Sequence, residues 1–379
     1  MLRDARLRSY VVQGALLTFV AVLVGTLISF TSANLRAKGI PLGFDFLFRP
    51  AGFSISETIL PYKSTDPNWW AAVVGIANSL FISAIVLVAS SMLGLFVGIG
   101  RLSSNPLASG TCRVWVEIAR NTPALILLIF TYSIWWRILP QVQDAWTLLP
   151  GVHLSLRGLV LPHVSFATPV AVGFVVPIAA MALWIAHRLA HRQQLRIGVR
   201  PRYLSMTVLA LAIGCAAAIL AFRHVITVDW PVMGRANFTG GMELTPELTT
   251  ILLGLTVYTA GFIAEIVRGG ILSVGQGQWE AARALGLARS QILRLVVVPQ
   301  ALRVIMPPLT SQYVNIVKNS TLAIAVGFQD FMTIMQTIIN KSSHAVEGIF
   351  LILAVFLGLN LTLSALSNWI NRRVAIVER

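Results

Sequence analysis

Apolar residues run along this chain in long stretches, separated by short polar connectors. A bilayer core about 30 Å thick takes about 20 residues of helix to cross. Stretches of that length lie at Val11–Phe30, Ala71–Gly100, Ile118–Leu139, Pro169–His187, Tyr203–Phe222, Leu248–Val267 and Gly348–Ile370. A weaker one runs from Arg303 to Phe328, broken by Pro307-Pro308 and containing Lys318. Counting it gives an all-α integral membrane protein of about eight transmembrane helices. The first stretch follows Arg3, Arg6 and Arg8, as a cleaved signal peptide would. It exceeds the usual apolar core of about 7–15 residues, so it reads as a retained anchor.

The connectors orient the chain. With the N-terminus inside, the inner connectors hold Arg101 and Arg113, five arginines over Arg188–Arg202, those from Arg268 to Arg303, and Arg372, Arg373 and Arg379. The outer ones hold only Arg36, Lys38, Arg49, Lys63, Arg157, Arg223, Arg235 and Lys341. Basic residues mark the cytoplasmic side, so both termini are expected in the cytoplasm. Residues 31–70, 140–168 and 223–246 are rich in Pro, Gly and aromatics. They read as loops over the outer face. No internal repeat or low-complexity tract is evident.

Charge adds a second view. Charged residues make up 11% of the chain against roughly 25% in soluble domains. The net charge of +15 suggests nucleic acid at first. The basic residues sit between apolar spans, however, so they follow membrane topology instead. Cys112, in a connector, and Cys215, in a span, show no C-x-x-C spacing and read as free thiols. His187 and His191 stand one turn apart among arginines with no carboxylate, so no metal site is expected.

One inner connector is patterned. Gln278–Leu285 has strong helix formers and no β-branched residue. Gly286 follows, where a left-handed residue turns the chain sharply. Ser290 reads as the N-cap of a second short helix, and Pro299 as its end. An exposed helix–turn–helix of this kind suits a groove on a partner. Glu280-Ala281-Ala282, then Gly286, then Val296-Val297-Val298-Pro299 resembles the EAA loop of ABC-import permeases. That signature is Glu-Ala-Ala, three residues, Gly, nine residues and Ile-x-Leu-Pro; here both aliphatic positions are Val. The resemblance implies that this loop couples the permease to a separate ATP-binding subunit.

Further motifs resemble those of polar-amino-acid permeases. Glu117-Ile118-Ala119-Arg120-Asn121-Thr122-Pro123 is similar to E-x-x-R-G-T-P, with Asn121 in place of Gly. Ala264-Glu265-Ile266-Val267-Arg268-Gly269-Gly270 is similar to A-E-x-x-R-G-G, and Lys318-Asn319-Ser320-Thr321-Leu322 to K-[ND]-[ST]-[ST]-L. The segment from Gly43 to Glu57 resembles general L-amino-acid permeases and their glutamate/glutamine/aspartate/asparagine relatives. The resemblance implies a type I importer core, with residues of about 140–246 inserted as a helical pair. The implied organisation is an anchor and outer segment over 1–70, a permease domain over 71–370 with its coupling loop at 269–302, and a cytoplasmic tail over 371–379.

Glu117 with Arg120, and Glu265 with Arg268, stand three residues apart, so each pair can meet on one helix face. Each reads either as an interfacial anchor or as a contact that gates the inner mouth. Lys318 lies deep in a span, at a cost of roughly 2.5–3.5 kcal/mol on insertion scales. It holds a substrate carboxylate beside Asn319, Ser320 and Thr321, or snorkels outward, or pairs with Asp330. Pro307-Pro308 is expected to free backbone groups that line a cavity.

The chain has no G-x-x-x-x-G-K-[ST] phosphate loop, so it is not expected to be an enzyme. ATP and Mg belong on partner ATPase subunits, and this chain binds no cofactor of its own. The expected partners are that ATPase, a second permease subunit favoured as a heterodimer, a periplasmic amino-acid-binding protein, the amino-acid substrate and the lipid of the bacterial inner membrane. The alternative is a self-contained secondary amino-acid transporter. Such a protein would carry buried acids in its spans and an inverted repeat; the span interiors here are nearly free of acids, and no repeat is evident.

Overall fold

The computed structural model describes residues 5–37, 39, 43–166 and 226–374. The expected spans Pro169–His187 and Tyr203–Phe222 lie outside the described residues, together with Cys215 and the His187–His191 pair. The chain forms two compact units, one from Met1–Ser133 with Thr250–Arg379, the other from Ile134–Thr249. The helices in order are α1 Ala5–Ala37, α2 Asn68–Gly100, α3 Pro106–Asn121, α4 Ala124–Ile138, α5 Pro246–Leu272, α6 Gln276–Ala284, α7 Arg289–Ile292, α8 Val298–Asn319, α9 Phe331–Ser342 and α10 Ala345–Val374.

Among the described residues, Asn68–Gly100, Pro246–Leu272, Arg289–Val326 and Ala345–Trp369 are long and apolar enough to cross a membrane. α3 and α4 together make a fifth candidate, bent by 109°. The chain is mostly helical, and about eight remains an approximate span count. The stretch expected as one span over Ile118–Leu139 divides at Thr122. That residue is extended (φ −95°, ψ 127°) because the ring of Pro123 disfavours helical backbone before it. Residues 118–121 therefore close α3, and Cys112 sits inside this helix rather than in a connector. Asn105 starts α3 by accepting a hydrogen bond from Leu107 N at 2.9 Å.

α2 and α5 pack with small residues at their contacts. A Cβ on Gly94 would meet Ile263 at 2.7 Å, and one on Gly98 would meet the Ala264 carbonyl at 2.7 Å. Gly254 takes Leu128 of α4, and Gly261 takes Ala119 of α3. Small side chains let helix backbones approach where apolar burial offers little gain against lipid.

α9 was not expected. Phe331, Ile334, Met335 and Ile338 form its buried face, joined by Ala71 and Val74 of α2 and by Phe46, Ala51 and Ile55. The outer segment is therefore ordered over 43–67 and pinned by side chains. Asn68 Nδ2 donates to Phe46 O at 2.8 Å, and Asn78 Nδ2 donates to Glu57 O at 2.9 Å and Gln329 O at 3.0 Å. Lys341 Nζ donates to Ala51 O at 2.7 Å, and His344 stacks on Phe46 at 4.6 Å. Asp330 caps α9 through Thr333 N at 2.9 Å, so it is engaged locally.

The second unit corrects the reading of two outer connectors as plain loops. Strands β1 Trp146–Leu149, β2 Val152–Ser155, β3 Gly158–Leu161 and β8 Met242–Leu244 form an antiparallel sheet in the order β1-β2-β3-β8. β4 His163–Phe166 pairs with β5 Ile226–Asp229, and β6 Val232–Met233 with β7 Phe238–Thr239. These short strands are additions to a mostly helical chain. Gly151, with φ +75°, turns β1 into β2, a position that disfavours any side chain.

The close contact of α2 with α5 predicts the cost of filling it. Gly94→Val should destabilise the chain by about 1–3 kcal/mol through overpacking. Gly110→Ala, in open space on α3, should be neutral or gain roughly 0.5–1 kcal/mol. Thermal unfolding midpoints of the two variants in detergent should move in opposite directions, or the Gly94 variant alone should fall.

Candidate functional site

Three groups of residues stand out in the first unit. The first is the loop that follows α5. Gly286 has φ +70°, Leu287 N donates to Ala282 O at 3.2 Å, and Gly286 N donates to Arg283 O at 2.9 Å. These two bonds satisfy the last carbonyls of α6 and close it as a Schellman turn. Ala282 is buried with Val274, Ile292, Val297, Ala301 and Ile305, and Trp279 packs beside it. Glu280 and Ala281 point the other way and are exposed, and Leu285 is 79% exposed. One face of α6 is fixed to the helix behind it, and the other is free.

Two details of this loop differ from expectation. Ser290 is not an N-cap: Ala288 occupies that position, and its N–H donates to Gln291 Oε1 at 2.9 Å. Pro299 does not end a helix. A π-helical turn over Leu293–Val297 leads into α8, and Pro299 lies in the first turn of α8, where proline is tolerated. Pro299 itself is exposed.

The second group surrounds Glu265. Arg268 donates to both its carboxylate oxygens, at 2.7 and 3.2 Å, and Arg101 from the end of α2 also donates to it. Arg120 Nη1 stops at 3.9 Å, its guanidinium standing over the Phe262 ring at 5.8 Å. The Glu265–Arg268 pair therefore forms as the spacing expects. The Glu117–Arg120 pair does not, because Glu117 accepts from Arg113 Nε one turn earlier at 3.0 Å. Arg101 was missed. Its position just after a span reads in sequence only as a topological marker.

The third group lines a cavity of about 340 Å³ between α8 and α10. Thr310, Ser311, Val314, Asn315 and Lys318 come from α8, and Ser364, Ser367, Asn368 and Asn371 from α10. Lys318 is exposed there. The expected pairing of Lys318 with Asp330 is absent among the described residues, since Asp330 caps α9. Asn319 does not line the cavity. Ser320 is buried and donates to Val317 O at 2.8 Å, while Thr321 donates to Lys318 O at 2.8 Å. The α10 residues were missed, although Ser364, Ser367, Asn368 and Asn371 share one helix face in the sequence. Pro307-Pro308 does not break α8, which runs on through both. Thr310 and Ser311 hydroxyls donate to Pro307 O at 2.9 and 3.3 Å, and Asn371 Nδ2 donates to Thr310 Oγ1 at 3.1 Å.

Because Glu265 holds two guanidinium groups at once, it should matter more than the exposed Glu117. Glu265→Gln should lower stability by about 1.5–3 kcal/mol, the range for charged hydrogen bonds. Glu117→Gln should cost at most about 0.5 kcal/mol. Paired thermal unfolding of the two variants checks this order.

Comparison with known proteins adds to this geometry. Residues 90–376 match the family described as binding-protein-dependent transport system inner membrane component. The chain is 42% identical to the general L-amino acid transport system permease protein AapQ of Rhizobium johnstonii, over 92% of this chain and 88% of that protein. It is 34% identical to the glutamate/glutamine/aspartate/asparagine transport system permease protein BztB of Rhodobacter capsulatus, over 100% of this chain and 96% of that one. A crystal structure of an amino acid ABC transporter with histidines aligns over 80% of this chain and 94% of its own, at 18% identity and a TM-score of 0.47.

Proposed function

Since the chain belongs to the family of binding-protein-dependent transport system inner membrane components, we propose that it is the membrane-spanning permease subunit of an ATP-driven importer that carries L-amino acids across the bacterial inner membrane. It is a transport permease and not an enzyme. The observation that carries the substrate class is full-length similarity to amino-acid permeases, at 42% identity over 92% of the chain. ATP hydrolysis, with its Mg, falls to a separate ATPase subunit. A periplasmic amino-acid-binding protein delivers substrate, and a second, related permease completes the pathway. Both termini lie in the cytoplasm, following the bias of basic residues between spans.

Coupling runs through α6. Its buried Ala282 face ties it to α8, and its outward face presents Glu280 and Ala281 to the ATPase. Motion of a docked subunit is thereby passed to the spans. Gly286 sets the turn that aims this face, and φ +70° is a conformation that a β-branched side chain takes only with strain. Gly286→Val imposes roughly 1–2 kcal/mol of local strain. In reconstituted complexes it should depress uptake while basal ATP hydrolysis changes less, and Glu280→Ala should act in the same direction. Normal uptake by both variants would rule out this coupling role.

Lys318 helps hold the carboxylate of the passing amino acid. It is exposed in a cavity whose other polar lining is neutral, made of Asn, Ser and Thr. A neutral lining leaves its ammonium as the recognition charge for an anionic group. Lys318→Met keeps the length and apolar bulk but removes that charge. The Michaelis constant for uptake should rise by about tenfold or more, the equivalent of one charged hydrogen bond. Assembly and ATP hydrolysis should persist, and unchanged uptake kinetics in an assembled complex would exclude the role.

A further inference from the structure

We infer that the four-stranded sheet of the second unit lies with one apolar face against the membrane surface. The first observation is how strand register sorts the side chains. Trp146, Leu154, Leu159 and Leu244 stand opposite one another across β1, β2, β3 and β8. Residues paired in this way project from one face of a sheet. The next row on that face pairs Leu149 with Val152 and Leu161 with Met242. Every strand therefore contributes only apolar residues to it. The other face carries Thr147, His153, Val160 and Glu243, again in register across the four strands.

The second observation is which face is covered. An antiparallel sheet with one solvated face commonly packs its apolar side inward and turns its polar side to water. This sheet does the reverse. On the polar face, His153 stacks on Phe238 of β7 at 4.6 Å, and Ser155 and Val160 are 1% and 3% exposed. On the apolar face, Trp146, Leu149 and Met242 are 47%, 65% and 41% exposed, and the other residues of the two rows are half-buried. A continuous apolar face left open marks a surface made to be covered.

The third observation says what covers it. β8 ends at Leu244, and α5, long and apolar enough to cross a membrane, begins at Pro246. Residues 248–264 of this helix carry no charge, so Glu247 stands at the membrane boundary. Leu244 is three residues from Glu247, no more than about 11 Å even in a fully extended chain. The apolar row that contains Leu244 thus starts at the level of the lipid headgroups. Trp146, in the same row, has the amphipathic ring that settles at that level. A transient protein partner would meet a mixture of polar and apolar groups. This face offers no hydrogen-bonding side chain except the Trp146 indole, and lipid needs none.

The test uses the full-length chain in lipid nanodiscs, with Cys112→Ala and Cys215→Ala as background. A nitroxide label is attached to Leu149→Cys or Met242→Cys on the apolar face, or to Thr147→Cys or Glu243→Cys on the polar face. Collision with oxygen, which concentrates in lipid, is compared with collision with a polar nickel chelate, which stays in water. The oxygen-to-nickel ratio at 149 and 242 should exceed that at 147 and 243 by about fivefold or more, as expected where a polar solute is excluded. A ratio no higher than at 147 and 243 would place the apolar face in water and overturn the proposal. Weak collision with both reagents at 149 and 242 would overturn it as well, by assigning the face to a protein neighbour or a second copy of this chain. The two labelled positions lie on opposite edge strands, so if a label at one prevents folding, the other decides.

Discussion

Helices in a bilayer gain little by burying apolar side chains against one another, because lipid is equally apolar. They hold by close contact, and around α5 that contact runs through glycines. Its Gly254, Gly261 and Gly270 receive Leu128 of α4, Ala119 of α3 and Ile305 of α8, while its Ile263 and Ala264 fill the spaces left by Gly94 and Gly98 of α2. Four neighbours therefore rest on one helix through positions where a methyl group has no room. Glu265 reinforces the same helix with charge, tying the end of α2 to α5 through Arg101. The loop that bears Glu280 and Gly286 leaves directly from the last turn of α5, so this helix joins the packing of the spans to that exposed loop.

The spans were legible in the sequence because lipid demands long apolar runs, and α2, α5 and α10 begin and end within a few residues of the expected limits. The Gly286 turn was legible too, since one residue type dominates the left-handed position. α9 escaped because its 12 residues are too few to cross a bilayer. Its buried positions 331, 334, 335 and 338 nevertheless follow helical spacing. The strands of the second unit escaped for a different reason. Runs of four residues or fewer carry almost no periodic signal, and β3 and β8 meet only through pairing distant in sequence.

Partners chosen in three dimensions were the least legible part of the candidate sites. Spacing allowed Glu117 to meet Arg120, but Arg113 was equally well placed and took it. Spacing also allowed Glu265 to meet Arg268, yet gave no sign of Arg101, which lies 164 residues away. The cavity beside Lys318 needed two polar helix faces to oppose each other, and sequence displays each face without saying that they meet. Local chemistry predicts which residues can pair; the fold decides among them.

The antiparallel ladder of β4 with β5 has a topological outcome. Phe166 stands opposite Ile226, so the chain leaves residue 166 and returns at residue 226 side by side. The chain before Phe166 and the chain after Ile226 therefore meet at one place, on one side of any membrane that the protein spans. The sidedness of α5 and α8 is thereby tied to that of α2, whatever length of chain joins the two strands. Closing a longer connection costs only about 0.6 kcal/mol more for each doubling of its length, so the ladder holds that relation at little expense.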